Sequence, residues 1–328
     1  NTSWYNETLN TSTRGARKEF PSVAVIVVET SELTIYDGDD PDMPMWMVFD
    51  GAGYSMLSNT HNGITGATMK DGNLVVISTS GYNHGGVSVI NFISDYAYLK
   101  TTGYTKENTT GIVNRGNAFS GSAGSQVIVN NNVRDVAMTV LPNAPIDSVT
   151  GLPVPTIALA TDGGVSVIKD DGTVVVITST TYSSANQINF TKENQLSFYN
   201  APHYSLAIQD IPTSDETGLG AIYSNSELRY SSYDVVGSPN LVGDAGAGSA
   251  SCHTHTPDYQ VVTGSASGMT SIRRVPDAPL TGLSNYITSD YNTGWMNGSI
   301  KLATLSDTDT ADVTAVNHVT NGDFTSNI

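Results

Sequence analysis

Short apolar runs separated by polar turns recur along the chain, and two of them are followed by the same peptide. Gly-Gly-Val-Ser-Val-Ile occurs at 85–90 and again at 163–168. Each copy follows a run rich in Val, Ile, Leu and Thr, at 74–79 and at 156–161. Runs of this length and composition, bounded by Gly and Asn, predict β-strands joined by turns. The chain therefore contains a repeated pair of strands.

Weaker copies of the pair extend the pattern over most of the chain. They lie at 23–28 with 33–36, at 195–199 with 204–208, and at 259–263 with 268–272. Third strands are predicted at 45–49, 96–99, 173–178 and 285–288, and fourth strands leading into the next unit at 64–69 and 187–190. Four strands per unit, repeated about five times, are typical of a β-propeller, in which sheets pack face to face around an axis.

The sequence therefore predicts an all-β fold, a five-bladed propeller with four-stranded antiparallel blades. Six blades stay open as an alternative because the stretch at 101–132 is hard to place. The last apolar run, at 300–305, is expected to pair beside 23–28 and close the ring, which would remove a free sheet edge. The propeller would then span residues 21–306.

Both ends of the chain are polar and are expected to lie outside the propeller. Residues 1–20 are interpreted as a polar linker from a preceding module. Residues 307–328 are interpreted as an acidic linker and the start of a carbohydrate-binding domain. No run reaches the roughly 18 apolar residues that a membrane span requires, so no span is predicted.

The net charge of the chain limits the kinds of molecule that it can bind. The chain carries 31 acidic against 14 basic residues, a formal charge of −17. Such a surface repels phosphates, which argues against nucleic-acid binding. The single cysteine, Cys252, excludes a disulfide within the chain.

Several segments resemble known families. Thr-Ile-Tyr-Asp-Gly-Asp-Asp-Pro-Asp-Met-Pro-Met-Trp-Met at 34–47 resembles a segment of virion or tail-fibre-like proteins of marine bacteriophages, and Thr-Gly-Trp-Met-Asn-Gly-Ser-Ile-Lys at 293–301 resembles the end of that module. Val-Thr-Asn-Gly-Asp-Phe at 319–324 is similar to the opening of a carbohydrate-binding jelly roll. Asp-Gly-Asn-Leu at 71–74 and the peptide at 163–168 resemble propeller repeats of the two-component-regulator type.

The resemblance implies a non-enzymatic structural and adhesion module on the virion surface, outside the cell. Its loops would contact host-surface glycans or other virion proteins, and a homo-oligomer fits the symmetry of fibres. Two other functions are alternatives to the adhesion module. One is a glycan-degrading propeller enzyme, whose carboxyl groups would come from Asp135, Asp162 or Asp210. The other is a bacterial extracellular filament or surface protein.

Two groups of residues are candidates for a metal, although no cofactor is predicted. Four aspartates share one loop: Asp37, Asp39, Asp40 and Asp42. Oxygen-rich loops attract calcium, but Pro41 and Met43 break the EF-hand spacing, so an exposed polar turn is favoured. Cys252, His253 and His255 offer soft ligands, yet no second ligand pair follows.

Tyrosines in polar stretches are the predicted contact residues for glycans or interfaces, because exposed aromatic rings stack on sugars and anchor partners. The candidates are Tyr82, Tyr182, Tyr230, Tyr233 and Tyr291. No catalytic residue is predicted. Thr161-Asp162-Gly163-Gly164 is interpreted as a hairpin turn whose Asp-Gly pair supplies positive φ angles.

Overall fold

Successive β-sheets account for almost all of the regular structure. The structure, a computed structural model, describes residues 2–51, 55–57, 63–79, 85–119, 126–178, 184–200 and 205–217. Beyond these it describes the backbone of the strands at 228–231, 252–255, 260–265, 268–273 and 283–288. Both helices in this part of the chain, Trp4–Asn6 and Ile112–Asn114, are single 3-10 turns, too short to cross a membrane.

The described strands form five sheets in chain order. The first holds β1 (Ala24–Val28), β2 (Glu32–Asp37) and β3 (Met45–Asp50). The second holds β4 (Ile64–Lys70), β5 (Asn73–Ser78), β6 (Gly86–Asn91), β7 (Tyr96–Lys100) and β8 (Thr105–Asn108). The third holds β9 (Val133–Thr139), β10 (Thr156–Thr161), β11 (Gly164–Ile168), β12 (Val174–Thr178) and β16 (Glu216–Thr217). The fourth holds β13 (Ala185–Phe190), β14 (Leu196–Asn200), β15 (Ser205–Gln209) and β17 (Leu228–Ser231). The fifth holds β18 (Cys252–His255), β19 (Gln260–Ser265), β20 (Gly268–Arg273) and β21 (Leu283–Thr288).

The first strand of each sheet packs against the first strand of the next. β4 contacts both β1 and β9, and β13 contacts both β9 and β18. Within a sheet, the chain moves away from this row of first strands one hydrogen-bonded neighbour at a time. The sheets therefore fan out from a common line, as the blades of a β-propeller do. The predicted fold class is confirmed, and the stretch at 101–132 supplies β8 and a 3-10 turn in its described residues.

Apolar side chains fill the spaces between neighbouring sheets. One cluster, with Leu33, Phe49, Leu74 and Leu99, joins the first and second sheets. A second, with Val75, Val87, Leu159 and Ile168, joins the second and third. A third, with Val165, Ile177, Ile188 and Phe198, joins the third and fourth. Each middle sheet is covered on both faces, which explains why strands such as Thr156–Thr161 are buried along their whole length.

Strand number varies from sheet to sheet. Four strands are described in the fourth and fifth sheets, as predicted, whereas the second and third sheets each carry a fifth. In the third sheet this strand is β16, which runs parallel to β12 after the chain has left to build part of the fourth sheet. The runs at 64–69 and 187–190, expected to complete a unit, instead begin the second and fourth sheets as β4 and β13.

The N-terminal segment contributes to the core, although its polar composition indicated a linker. Residues 13–15 hydrogen-bond along the free edge of β3: Gly15 N–H donates to Trp46 O at 3.0 Å, and Val48 N–H donates to Thr13 O at 3.0 Å. Trp4 is 8% exposed, and its indole Nε1 donates to Phe92 O at 2.7 Å. The place beside β3 is thus occupied by the N-terminal segment. The predicted closing run at 300–305 and the end at 307–328 lie outside the described residues.

The repeated peptide occupies equivalent places in two sheets. Gly86 begins β6 and Gly164 begins β11, both with positive φ, of 149° and 125°. A Cβ at Gly86 would collide with Lys100 O, and a Cβ at Gly164 would collide with Ile177 O. Both serines also bond to the segment that precedes their sheet, although in opposite directions: Ser88 Oγ donates to Leu57 O at 3.3 Å, and Ser166 Oγ accepts from Val129 N–H at 3.0 Å. The repeat therefore marks close backbone packing and a buried tie to the preceding segment.

Candidate binding cleft

Strand β7 presents two tyrosines and a lysine on one face. Tyr96, Tyr98 and Lys100 alternate with Ala97 and Leu99, which are buried in the cluster between the first and second sheets. Side chains two residues apart on a strand share a face, so the two tyrosines and the lysine face the third sheet. On neighbouring β8, Glu107 lies opposite Tyr98 and Thr105 lies opposite Lys100.

A cleft of about 430 Å³ opens where the second and third sheets diverge. From the second sheet it is lined by Asn73, Val89, Asn91, Ser94, Tyr96, Tyr98, Lys100, Thr105 and Glu107. From the third sheet and the 140–155 connection it is lined by Asp147, Thr150, Val154, Pro155, Ile157, Ile168, Lys169, Asp170, Asp171 and Gly172. This volume lies within the range of about 300–1,000 Å³ usual for small-molecule sites.

The cleft has an apolar base and polar walls. Val89, Ile157 and Ile168 belong to the cluster between the two sheets and also line the cleft. Toward the outer edges of the sheets, amides and charged groups replace these apolar side chains. Asn91 Nδ2 donates to Asn73 Oδ1 at 2.9 Å, which fixes both amides in place. A ligand with an apolar face and polar edges would match such walls.

The two tyrosine rings form an aromatic wall. Their centroids lie 6.3 Å apart, with the ring planes inclined by 45°. Burial raises the pKa of Tyr96, and a hydrogen bond with Glu107 raises it further. Burial alone raises the pKa of Tyr98. Both phenols therefore stay protonated at neutral pH and keep a hydroxyl donor.

Lys100 is the most buried charged group of the cleft. It is 7% exposed, and its Nζ donates to Gln126 O at 3.1 Å. Its Nζ also lies 5.6 Å from the centroid of the Tyr98 ring. It forms no salt bridge with any carboxylate in the described part of the chain. Burial lowers the pKa of Lys100.

The acidic residues at the rim shape the turns that carry them. Asp147 Oδ1 accepts from the backbone N–H groups of Val149 at 2.9 Å and Thr150 at 2.7 Å. Asp171 Oδ1 accepts from the N–H and hydroxyl of Thr173 at 2.9 and 2.6 Å. The bonds from Thr150 and Thr173 are the main causes that lower the pKa of Asp147 and Asp171. The rim therefore stays negatively charged above acid pH.

The three carboxyl groups considered for hydrolysis make separate contacts. Asp135 on β9 accepts from Ile188 N–H at 2.9 Å, and burial raises its pKa. Asp162 accepts from Asn132 Nδ2 at 3.1 Å and pairs with Arg134. Asp210 accepts from Gln195 Nε2 at 3.0 Å. Asp135 ties the third sheet to the fourth, and none of the three lines the cleft.

The acidic loop at 37–42 is engaged by an arginine. Arg17 Nη1 lies 2.9 Å from Asp37 Oδ1 and 2.6 Å from Asp39 Oδ2. Asp39 also accepts from the backbone N–H groups of Ser22 and Val23, and these bonds lower its pKa together with Arg17. Asp40 Oδ1 accepts from Asp42 N–H at 3.0 Å, as in a polar turn.

The remaining predicted site residues are the histidine and cysteine group and the tyrosines. Among the residues that the structure describes, no group of three or more His, Cys, Asp and Glu side chains is placed to hold a metal ion. Cys252, His253 and His255 form strand β18, of which only the backbone is described. Tyr230 lies on β17, of which only the backbone is described. The other four tyrosine candidates lie outside the described residues: Tyr82, Tyr182, Tyr233 and Tyr291.

The hairpin predicted at 161–164 is present, but its backbone differs from the expectation. Thr161 pairs with Gly164 across a turn made by Asp162 and Gly163. Neither central residue has a positive φ, and only Gly164, after the turn, does. The predicted turn at Asp162 and Gly163 is confirmed, whereas the positive φ angles predicted for these two residues are wrong.

The sequence interpretation missed the cleft, although a signal was present. The sequence predicts only a strand at 96–99, and it places the contact tyrosines in polar stretches elsewhere. The alternation Tyr96-Ala97-Tyr98-Leu99-Lys100 places aromatic and basic groups on one face and small or apolar groups on the other. What no local pattern could supply is the third sheet, which forms the opposite wall.

Comparison with known proteins gives only distant structural likeness. No protein-family model and no curated protein matches the chain. Solved structures that resemble it include the extracellular domain of a putative hybrid two-component system from B. thetaiotaomicron, at 15% identity and a TM-score of 0.43 over 81% of this chain and 26% of that one. The RRP9 WD40 repeats align at 10% identity and 0.42, over 80% of this chain and 76% of theirs. YCF48 bound to D1 peptide aligns at 11% identity and 0.35, over 79% of this chain and 83% of that one.

Likeness at these scores does not indicate a function for this chain. The chain spans about a quarter of the length of the two-component domain. The order of its own sheets defines it as a β-propeller, and the divergence of the second and third sheets defines its candidate binding cleft.

Proposed function

We propose that the protein is a non-enzymatic, extracellular adhesion module that binds a glycan in the cleft between its second and third sheets. The observation that carries the proposal is the aromatic wall of Tyr96 and Tyr98 beside fixed amides and charged groups. Sugar rings have apolar faces that stack on aromatic rings, and their hydroxyls need planar polar partners at the edges. The cleft offers both kinds of group in a volume suited to a small oligosaccharide.

A binding role is favoured over hydrolysis by the arrangement of carboxyl groups. Glycoside hydrolysis needs two carboxyl groups about 5–10 Å apart on either side of the scissile bond. Of the four carboxyl groups that line the cleft, three are engaged, because Glu107 bonds to Tyr96 while Asp147 and Asp171 hold their own turns. Asp135, Asp162 and Asp210 lie elsewhere with other partners. Because these carboxyl groups already hydrogen-bond to other groups of the chain, their arrangement supports a module that binds a glycan without cleaving it.

We place the module on a bacteriophage virion, in a tail or fibre appendage, with other virion proteins and further copies of itself as partners. This assignment rests on the sequence resemblance at 34–47 and 293–301 alone. The alternative, a bacterial extracellular filament or surface protein, has the same fold and the same cleft. Mass spectrometry of purified phage particles and of shed bacterial surface fractions distinguishes them. Peptides of this chain in the bacterial fraction alone would overturn the virion assignment.

A glycan array tests the binding function. The chain should bind a defined subset of oligosaccharides, and Tyr96→Ala should lose that binding because the aromatic wall is removed. Tyr5→Ala is the matched control, since Tyr5 is 37% exposed and lies outside the cleft. Thermal unfolding of both variants checks that they fold. A blank array for the folded wild-type chain would contradict the proposal, and release of reducing sugar from a bound glycan would favour the enzyme.

A further inference from the structure

Lys100 has more donors than the fold uses. A lysine ammonium carries three N–H donors and no acceptor. Gln126 O is the one described acceptor of its Nζ, at 3.1 Å. The hydroxyl of Thr105 donates to the same carbonyl, also at 3.1 Å, so Gln126 would keep a partner without the lysine. Lys100 also lines the cleft, so its ammonium group is available as a candidate partner for a ligand there.

The burial of this charge is unfavourable for folding alone. Among the residues that the structure describes, no carboxylate pairs with Lys100, and an ammonium group shielded from water without such a partner costs more than an apolar side chain of similar size. Lys169, the other lysine of the cleft, lies at its edge, with Nζ 3.4 Å from Thr213 O. Lys100 is therefore the cation positioned beside the aromatic wall, with its Nζ 5.6 Å from the centroid of the Tyr98 ring.

The acidic rim limits which anions can enter. Glu107, Asp147, Asp170 and Asp171 line the same cleft, and the chain as a whole carries a charge of −17. Highly sulfated chains would be repelled at every residue by this surface. A sugar with one carboxylate meets less repulsion, and that carboxylate can form charge-assisted hydrogen bonds with Lys100 while the ring stacks on the tyrosines.

We infer that the cleft selects a sugar bearing a single carboxylate, a uronic acid residue, with Lys100 as the partner of that carboxylate. This inference rests on the proposed glycan binding. It goes beyond it by naming the substituent that the cleft distinguishes and the residue that distinguishes it.

Titration calorimetry with two matched ligands tests the inference. The probes are an oligosaccharide with one uronic acid residue among neutral sugars and the methyl ester of that residue, which keeps the shape of the sugar and removes the single charge. The acid should bind roughly tenfold or more tightly than the ester, because hydrogen bonds to charged groups are stronger than neutral ones. Lys100→Met should abolish this preference and keep the binding of the ester, whereas Lys169→Met should preserve the preference.

The outcomes separate this inference from the proposed function. Equal affinity of the wild-type chain for acid and ester would overturn the role of Lys100 and leave glycan binding intact. Binding of neither probe, together with a blank array, would overturn both. Tighter binding of a polysulfated oligosaccharide than of the uronic acid would also overturn the selection of a carboxylate. The wild-type comparison needs no variant, so the test holds even if Lys100→Met fails to fold.

Discussion

The carboxylate of Glu7 accepts two hydrogen bonds of 2.9 Å from the guanidinium of Arg115, which lies 108 residues further along the chain. The same carboxylate lies 3.9 Å from Nε of Arg14, whose side chain is completely buried. Arg115 also donates to Val48 O on β3 and to Thr13 O. One carboxylate thus lies between two buried arginines, forms an ion pair with Arg115, and ties the N-terminal segment to the first sheet and to the segment that follows β8.

Replacing Glu7 with alanine should destabilise the propeller by about 3–5 kcal/mol, because it leaves the buried guanidinium of Arg115 without its bonded carboxylate and removes one of the acidic neighbours of Arg14. Urea unfolding followed by tryptophan fluorescence measures the loss, since Trp4 and Trp46 lie in the adjoining aromatic cluster. Glu29→Ala is the control, because Glu29 is exposed and its carboxylate makes no described contact. A loss below about 1 kcal/mol, as for a surface ion pair, would contradict the account of the N-terminal segment.

The repeated glycine should not tolerate a side chain in either sheet. Gly86→Ala and Gly164→Ala should each cost about 1–3 kcal/mol, because the new Cβ would strike a carbonyl on the neighbouring strand and the positive φ disfavours it. Gly116→Ala is the control, since a Cβ there meets nothing within 4 Å and its φ is ordinary. The free energies of unfolding should show similar losses for the two repeat positions. A loss at only one position would contradict their equivalence.

Lys100→Met should stabilise the chain at neutral pH by about 1 kcal/mol or more, since a buried cation is removed. Burial lowers the pKa of Lys100 in the folded state below its ordinary value of 10.5. Between these two pKa values the unfolded state binds more protons, so the wild-type chain gains stability as pH rises. The advantage of the variant should therefore shrink as pH approaches 10.5.

The measurement is urea unfolding of both chains at several pH values between 7 and 10.5, compared at equal pH so that the tyrosines cancel. A stability difference that does not change with pH would show that the folded-state pKa is not lowered. A variant less stable than the wild type at pH 7 would show that Lys100 supports the fold, which would weaken its assignment to a ligand.

Local patterns were sufficient for the strands that contain apolar runs. The pairs at 74–79 with 86–90 and at 156–161 with 164–168 were predicted close to their observed bounds, because β-branched residues bounded by glycine identify buried strands. β9 was missed because Arg134 and Asp135 interrupt its apolar pattern, although Asp135 is stabilised there by Ile188 of the next sheet. That hydrogen bond depends on packing between sheets, which local sequence does not encode.

The N-terminal segment and the cleft were missed for the same reason. Arg14 and Glu7 are polar residues that indicate a solvated linker until Arg115 is brought to them by the fold. Tyr98 and Lys100 become a site only when the third sheet supplies the opposite wall. In the acidic loop at 37–42, Asp40 and Asp42 form a polar turn of the kind that short-range chemistry predicts, whereas Asp37 is buried and pairs with Arg17, which lies 20 residues earlier in the chain.

Hydrogen–deuterium exchange in the presence of an oligosaccharide identified on the array tests the central claim, that the cleft between the second and third sheets is the binding site. The account predicts slower amide exchange at 96–107 and at 147–172, the segments that supply most of the cleft wall, and no change in Tyr96→Ala. Slower exchange confined to the segments around Tyr82, Tyr182, Tyr233 or Tyr291, with the cleft unchanged, would contradict it.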